Sequence, residues 1–169
     1  MRTSLTRPLP LSEDLRLEFG DLQLLNGGRR VVFHDKASKR AYVECDGLIA
    51  TSKGVLLLNE GKTHFHVSDA ATFAGRKGAA GFSSAVEKME KVIASPSDYY
   101  SEPRDIMARI VGRVVVPVAS SPSFSQEAEQ ACLLAGICTL ARSGAGFATT
   151  IPSMALMKQA PAGTPVRAS

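Results

Sequence analysis

The sequence has few cysteines, and they are not spaced for a shared structural role. Cys45, Cys132 and Cys138 form an odd number and include no CxxC pair, so we expect neither a disulfide framework nor a zinc site. Free cysteines in apolar patterns usually behave as small buried hydrophobes, and we place all three in the core. This usage is typical of a reducing, intracellular setting.

Long apolar runs and a strong charge of either sign are also missing. No stretch reaches the roughly 18 residues of a membrane span, and Met1 to Pro10 lacks the apolar segment of a signal peptide. A targeting signal outside this chain would escape that argument. The formal charge of +4 and the pI near 9.1 suit a polyanionic partner without requiring one.

The bulk composition predicts one globular domain. The chain has 169 residues, of which 44% are hydrophobic, and this is enough to bury a single core. Prolines and small residues at both ends predict flexible tails over residues 1–10 and 153–169. The remaining residues, 11–152, are expected to form the compact unit.

Helical and extended patterns alternate along the first half. A helix is predicted from Ser12 until Asn26 to Gly28 stop it, because Leu15, Phe19 and Leu22 recur at helical spacing. Three extended runs follow, at Arg30–His34, Arg40–Thr51 and Val55–Phe65. The last two form a hairpin around a three-residue loop, in which Gly54 accepts the left-handed backbone conformation.

The second half continues with two helices and two strands. Glycines within Asp69–Gly81 argue against a helix there, and a short helix begins at Ser83 or Ser84 and stops before Pro96. A central strand at Ile110–Val118, a helix at Gln126–Ala141 and a last strand at Phe147–Ile151 complete the chain. The order αβββαβαβ predicts an α/β fold, a mixed sheet flanked by helices.

The hairpin register brings charged residues together. With Thr51 and Val55 enclosing the loop, Asp46 is predicted opposite Glu60, and Glu44 opposite Lys62, on one face. Opposed carboxylates repel each other, so a divalent cation, helped by Lys62, would compensate them. The alternative is that these charges are simply hydrated on the solvent face of a hairpin.

These residues resemble a known motif. Asp46, a gap of thirteen residues and then Glu60-Gly61-Lys62 after an apolar strand are similar to the signature of the PD-(D/E)xK nucleases. The core of that superfamily, the restriction-endonuclease-like fold, runs helix, three strands, helix, strand, often with a further helix and strand. The chain departs from the signature at Cys45, which takes the place of the motif's proline.

The resemblance implies a role for each matched residue. Asp46 and Glu60 would bind Mg²⁺ or Mn²⁺, the carbonyl of Gly61 would add a ligand, and Lys62 would orient or deprotonate the attacking water. Many members add a carboxylate from the first helix. Glu18 is the residue predicted for that role, with Asp14 as its substitute.

Other charged residues allow more than one interpretation. Arg76, Lys77 and Lys88 could follow a DNA backbone, or they could form a solvated surface. His64 and His66 match a His-x-His metal pair but fit ordinary surface histidines at least as well. No P-loop and no nucleophile motif is present.

The functional hypothesis is therefore a Mg²⁺-dependent deoxyribonuclease. The compact domain and the segment Glu44–Gly47 also resemble Crinkler-type effectors and related retrotransposon hot-spot proteins, which would imply secretion into a host cell and action on nuclear DNA. Two alternatives remain open. One is a catalytically inactive DNA-binding or protein-interaction module on the same fold. The other is a structural or oligomer-forming protein, such as a homodimer, with the apolar helix Gln126–Ala141 as its interface.

Overall fold

In the part of the chain that the structure describes, nine strands form a main sheet and a small sheet. The structure, a computed structural model, describes residues 13–76, 83–144 and 146–156. In spatial order, with numbers given along the chain, the main sheet contains β1 (Leu22–Leu25), β4 (Gly47–Thr51), β5 (Val55–Gly61), β7 (Val114–Ser121), β8 (Cys138–Ser143) and β9 (Gly146–Thr150). The small sheet contains β3 (Ala41–Cys45), β2 (Val31–Asp35) and β6 (Tyr99–Glu102), also in spatial order.

Short helices connect and cover the strands. They are α1 (Glu13–Phe19), α2 (Val67–Ala74), α3 (Ala85–Ala94), α4 (Met107–Ile110), α5 (Gln126–Ala135) and α6 (Ser153–Leu156). Single 3₁₀ turns lie at Asn26–Gly28, Pro96–Asp98 and Arg104–Ile106. Across the three described ranges, no helix has the length and apolar character needed to cross a membrane.

The main sheet is mixed, which confirms the predicted α/β class. β4 pairs antiparallel with both β1 and β5, whereas β7 runs parallel to both β5 and β8, and β9 returns antiparallel to β8. The parallel connections pass through α2 and α3 and then through α5, as crossovers between parallel strands require.

Each face of the main sheet has its own core. Leu56 and Leu58 of β5 pack beneath α2, α3, α5 and the small sheet, in a cluster that includes Phe33, Phe73 and Met89. Val55 and Leu57 point the other way, into a cluster that α1 and α6 cover. These four residues of β5 are at most 1% exposed, as expected for a strand buried on both faces.

The predicted hairpin is confirmed in its loop and register, and its second strand ends at Gly61 rather than at Phe65. Gly47 pairs with Asn59 and Leu48 with Leu58, which is the register inferred from the loop. Gly54 has a φ of 80° and donates its N–H to the Thr51 carbonyl at 3.2 Å, so the loop uses the left-handed residue that its length requires.

The prediction of a continuous strand over Arg40–Thr51 is wrong. The chain changes sheets at Asp46, since β3 pairs with β2 and β4 pairs with β1 and β5. Residues on both sides of Asp46 are buried, and the apolar pattern continues through it. Alternation therefore could not reveal that the two halves belong to different sheets.

Two predicted helices are too long for the same reason. α1 ends at Phe19, Gly20 turns the chain with a φ of 98°, and Leu22–Leu25 is the edge strand β1. α5 ends at Ala135 with Gly136 in the left-handed region, and Cys138–Ser143 is strand β8. Short apolar runs fit a buried helix or a strand equally well, and here pairing decides for the strand.

Of the other local predictions, some are confirmed and one is wrong. The Ser84 cap of α3 is confirmed, with Ser84 Oγ accepting the Glu87 N–H at 3.2 Å, and all three cysteines are free and buried. The argument against a helix after Asp69 is wrong, because α2 covers Val67–Ala74. The predicted tail 153–169 begins with helix α6, and its remaining residues and tail 1–10 lie outside the described ranges.

A test of the hairpin turn is the substitution Gly54→Ala. Because an L-residue at a φ of 80° is strained by about 1–2 kcal/mol, we expect the free energy of unfolding to fall by about 1 kcal/mol. The control is Gly146→Ala, whose added Cβ would meet no atom within 4 Å. Urea unfolding of both variants checks this, and equal effects of the two substitutions would contradict it.

Candidate functional site

Asp46 and Glu60 lie at the end of the β4–β5 hairpin. Gly47 and Asn59 are the outermost pair of this hairpin, and Asp46 and Glu60 are the neighbours of that pair on the side away from the loop. The Gly61 backbone N–H donates a hydrogen bond of 2.9 Å to Oδ2 of the Asp46 carboxylate. The residue that joins the two sheets is therefore tied to the last residue of β5, and the hairpin register brings both carboxylates to one place.

Lys62 completes the cluster together with an acidic residue from α2. The Lys62 Nζ lies 3.6 Å from Glu60 Oε2 and 3.8 Å from Asp69 Oδ1. Asp69 is held in the first turn of α2, where its Oδ2 accepts the His66 N–H at 2.8 Å. Asp46, Glu60, Lys62 and Asp69 together form the candidate catalytic cluster, called the catalytic cluster below for short.

Asp69 is the member of the catalytic cluster that sequence reasoning missed. The available signal was its position three residues after His66, the spacing of a carboxylate that returns to cap a helix N-terminus. Histidine is an uncommon N-cap residue, and the glycines that follow hid the helix. The start of α2 was therefore not recognised.

Glu60 lies in surroundings that disfavour its ionised form. Its side chain is 30% exposed. Burial raises the pKa of Glu60 above its ordinary value of 4.5, the Asp46 charge adds to this increase, Lys62 opposes it, and Asp69 raises it further. The raised pKa means that the site favours an additional positive charge, either a proton or a cation, beside Glu60.

Cys45 and Gly47 pack tightly on either side of Asp46. Burial, followed by the charges of Asp46, Glu60 and Glu44, raises the pKa of the Cys45 thiol strongly, so this cysteine stays protonated and inert. A Cβ on Gly47 would lie 3.4 Å from the Gly28 carbonyl oxygen. Cys45 is the last residue of β3, which is paired with β2. The proline of the motif would have no backbone N–H to donate at this position of the sheet.

Glu44 and Glu18 are not brought to the catalytic cluster. Glu44 pairs with Val32 in the small sheet, and its carboxylate lies 3.2 Å from the Arg30 guanidinium, so its predicted pairing with Lys62 is wrong. α1 covers the face opposite to Glu60, and the Glu18 charge acts there on Cys138. Asp14, in the first turn of α1, belongs to that same face.

The predicted DNA-contacting residues have other partners. The Arg76 guanidinium lies 3.1 Å from Glu90 Oε1, and the Lys88 ammonium lies 5.6 Å from the centre of the Tyr42 ring. Lys77 lies outside the described residues. These contacts tie Arg76 and Lys88 to α3 and β3 rather than to the catalytic cluster.

Histidines and acidic residues do not form a larger metal site in the described part of the chain. His64 is exposed, and the backbone of His66 begins α2. Within residues 13–76, 83–144 and 146–156, no group of three or more His, Cys, Asp or Glu side chains is arranged to bind a metal ion. Metal binding would therefore depend on two carboxylates with backbone and water oxygens.

Comparison with known proteins adds no family. No protein-family model, no curated protein and no solved structure matches this chain. The functional argument therefore depends on the residues and their geometry.

The raised pKa of Glu60 leads to a stability prediction. The folded protein retains the Glu60 proton to a higher pH than the unfolded chain, so stability falls as the pH rises from about 4.5 toward the raised pKa. Glu60→Gln removes this penalty at neutral pH, and we expect the melting midpoint Tm to rise by about 1–2 °C.

Calorimetry of both proteins at pH 4 and pH 7 measures the effect. The gain should be larger at pH 7, because the wild-type carboxylate is ionised there. The control is Glu127→Gln, in the exposed first turn of α5, which should give no gain. A Glu60→Gln variant that is less stable than the wild type at pH 7 would refute the electrostatic argument.

Proposed function

We propose that this protein is a metal-dependent nuclease that hydrolyses DNA phosphodiester bonds. The observation that carries the proposal is the convergence of Asp46, Glu60 and Lys62 at the end of a buried strand, in the register of the hairpin. Two carboxylates and an amine at one point form a minimal site for phosphodiester hydrolysis, because the carboxylates bind a cation and the amine neutralises developing charge.

The topology of the main sheet supports the restriction-endonuclease-like interpretation. Leaving out the small sheet, the chain runs α1, then the antiparallel strands β1, β4 and β5, then helices, then the parallel strand β7, and then α5 and β8. This is the order that the PD-(D/E)xK resemblance implies. The strands β2 and β3 are then an insertion between the first and second strands of the core.

The oxygen donors of the site suit Mg²⁺ or Mn²⁺. Asp46 and Glu60 offer carboxylates, and the carbonyl of Gly61 lies between Glu60 and Lys62 in the sequence. Magnesium is usually bound through one or two protein carboxylates and keeps several waters, so a larger acidic cluster is not needed. When bound, the ion would lower the pKa of a water molecule and neutralise charge on the phosphate.

Lys62 and Asp69 have distinct roles in this proposal. The Lys62 ammonium lies within 3.8 Å of carboxylates on both β5 and α2, so its position is fixed by two elements of the fold. From there it can stabilise negative charge on the phosphate and hold the attacking water. Asp69 is a positioning residue, because it holds the amine rather than contacting the reacting atoms.

The first test is cleavage of supercoiled DNA by the wild type, Lys62→Ala and Asp46→Asn, each with Mg²⁺ and with EDTA. We expect cleavage to require the metal and to fall by at least about 100-fold in each variant, because each loses a group that acts on the reacting atoms. The control is Lys36→Ala, an exposed lysine next to the β2–β3 turn, which should cleave normally. A folded Lys62→Ala variant with full activity would contradict the proposed role of Lys62 and with it the nuclease site.

One observation favours a catalytically inactive DNA-binding module as the second candidate. Lys62 already lies close to both Glu60 and Asp69, so the acidic group is partly neutralised without a metal. Such a protein would bind DNA with a strong dependence on salt. Binding that is unchanged by EDTA and by Asp46→Asn, without cleavage in any divalent metal, would favour this candidate.

A further inference from the structure

A pocket extends from Gly61 and Lys62 to residues that the chemistry described above does not use. It has a volume of about 320 Å³ and lies at the carboxyl ends of the parallel strands β5, β7 and β8. Its lining includes Gly61, Lys62, Thr63, Ser120, Arg142 and Phe147. The carboxyl ends of parallel strands are the usual place for a ligand in an open α/β sheet.

The sheet register gives the order of the lining along this edge. Gly61 is paired with Ser120 of β7, which is paired in turn with Leu140 of β8, and Arg142 pairs with Phe147 of β9. Two strand spacings separate β5 from β8, which is about 10 Å. Arg142 and Phe147 lie on the α1 side of the sheet, so a ligand at Arg142 reaches Lys62 over the strand ends and is distinct from a phosphate held beside Glu60.

Arg142 brings an uncompensated positive charge to the pocket. Its side chain is exposed, and its backbone N–H is bonded to the Pro122 carbonyl at 3.2 Å. Among the residues that the structure describes, no carboxylate forms an ion pair with Arg142, in contrast with the paired Arg30 and Arg76. A guanidinium in this situation suits a phosphate, which it can bind through two parallel N–H groups.

Phe147 offers an aromatic surface directly across from that guanidinium. The ring is half-buried and packs against the core cluster beneath α1, which fixes one side of it while the pocket borders the other. At the other end of the pocket Gly61 adds no side chain to the lining, and a Cβ there would lie 3.2 Å from Ser120 Oγ. A basic group beside an exposed aromatic face is the combination that binds unpaired nucleotides.

We propose that this pocket binds one unpaired nucleotide of the DNA strand, next to the phosphate that the catalytic cluster hydrolyses. Arg142 contacts its phosphate, and Phe147 stacks on its base. The inference rests on the proposed function and makes it more specific, since the substrate becomes DNA that is single-stranded, or opened, beside the cleaved bond. Stacking on Phe147 requires an unpaired base, because the bases of a duplex are stacked on each other.

Binding measured without cleavage tests the pocket separately from the chemistry. The probe is a fluorescent single-stranded oligodeoxynucleotide of mixed sequence, titrated with the full chain in EDTA at several salt concentrations. We expect Arg142→Gln to weaken binding and to reduce the slope of log K against log[salt] by about 0.7, the value for one phosphate contact on a single strand. Arg40→Gln, at the β2–β3 turn of the small sheet, is the matched control and should keep the wild-type slope.

Phe147→Leu separates stacking from charge. Losing one base–aromatic stack of about 1–3 kcal/mol corresponds to roughly 5- to 150-fold weaker binding. The salt slope should stay unchanged, because no phosphate contact is lost. The same variant should bind a blunt duplex nearly as well as the wild type does.

Each outcome decides between the two proposals. If Arg142→Gln behaves like Arg40→Gln, or if an RNA of the same sequence binds more tightly than the DNA, the pocket proposal is overturned. If metal-dependent cleavage requires Lys62 but binding ignores Arg142 and Phe147, only the pocket proposal fails. If binding depends on both residues but no metal supports cleavage, the pocket stands and the nuclease proposal fails.

Discussion

Burial of strand β5 on both faces is the constraint on which the site depends. Its residues Val55–Leu58 contribute to two separate cores, and neighbouring strands occupy both of its edges. Such a strand has no freedom to slip, because a shift by one residue would exchange its two buried faces. The polar residues that follow, from Asn59 to Lys62, therefore emerge at a fixed point and in a fixed order, so the positions of the charges follow from apolar packing.

That rigidity also explains how a repulsive arrangement persists. Burial of Glu60, together with the nearby charges of Asp46 and Asp69, raises its pKa, so the folded chain carries an electrostatic cost that hydrophobic packing elsewhere offsets. Functional sites often contain charged groups whose placement lowers the folding stability of the protein. Here the cost lies beside a strand that is buried on both faces, where surrounding packing offsets it.

The sequence was most informative where local chemistry decides the structure. The Ser84 cap determines where α3 begins. The Gly54 loop determines the hairpin register. This register and the apolar strand together give the positions of Asp46, Glu60 and Lys62. The sequence was least informative where the secondary structure of a segment depends on the strand beside it. Leu22–Leu25 is a strand only because β4 lies beside it, and the break at Asp46 exists only because two sheets meet there. Asp69 was missed because α2 is stabilised by packing against α5 rather than by its own glycine-bordered sequence.

The position of Asp46 between two sheets has a mechanical consequence. The connection from β3 to β4 is one residue long, so there is no loop to absorb a rotation of the small sheet against the main one. Any such rotation would act directly on the Asp46 backbone and on its bond to the Gly61 N–H. Asp46 is thus a tight junction between the two sheets as well as a carboxylate, so the packing that holds the small sheet in place also sets the spacing between Asp46 and Glu60.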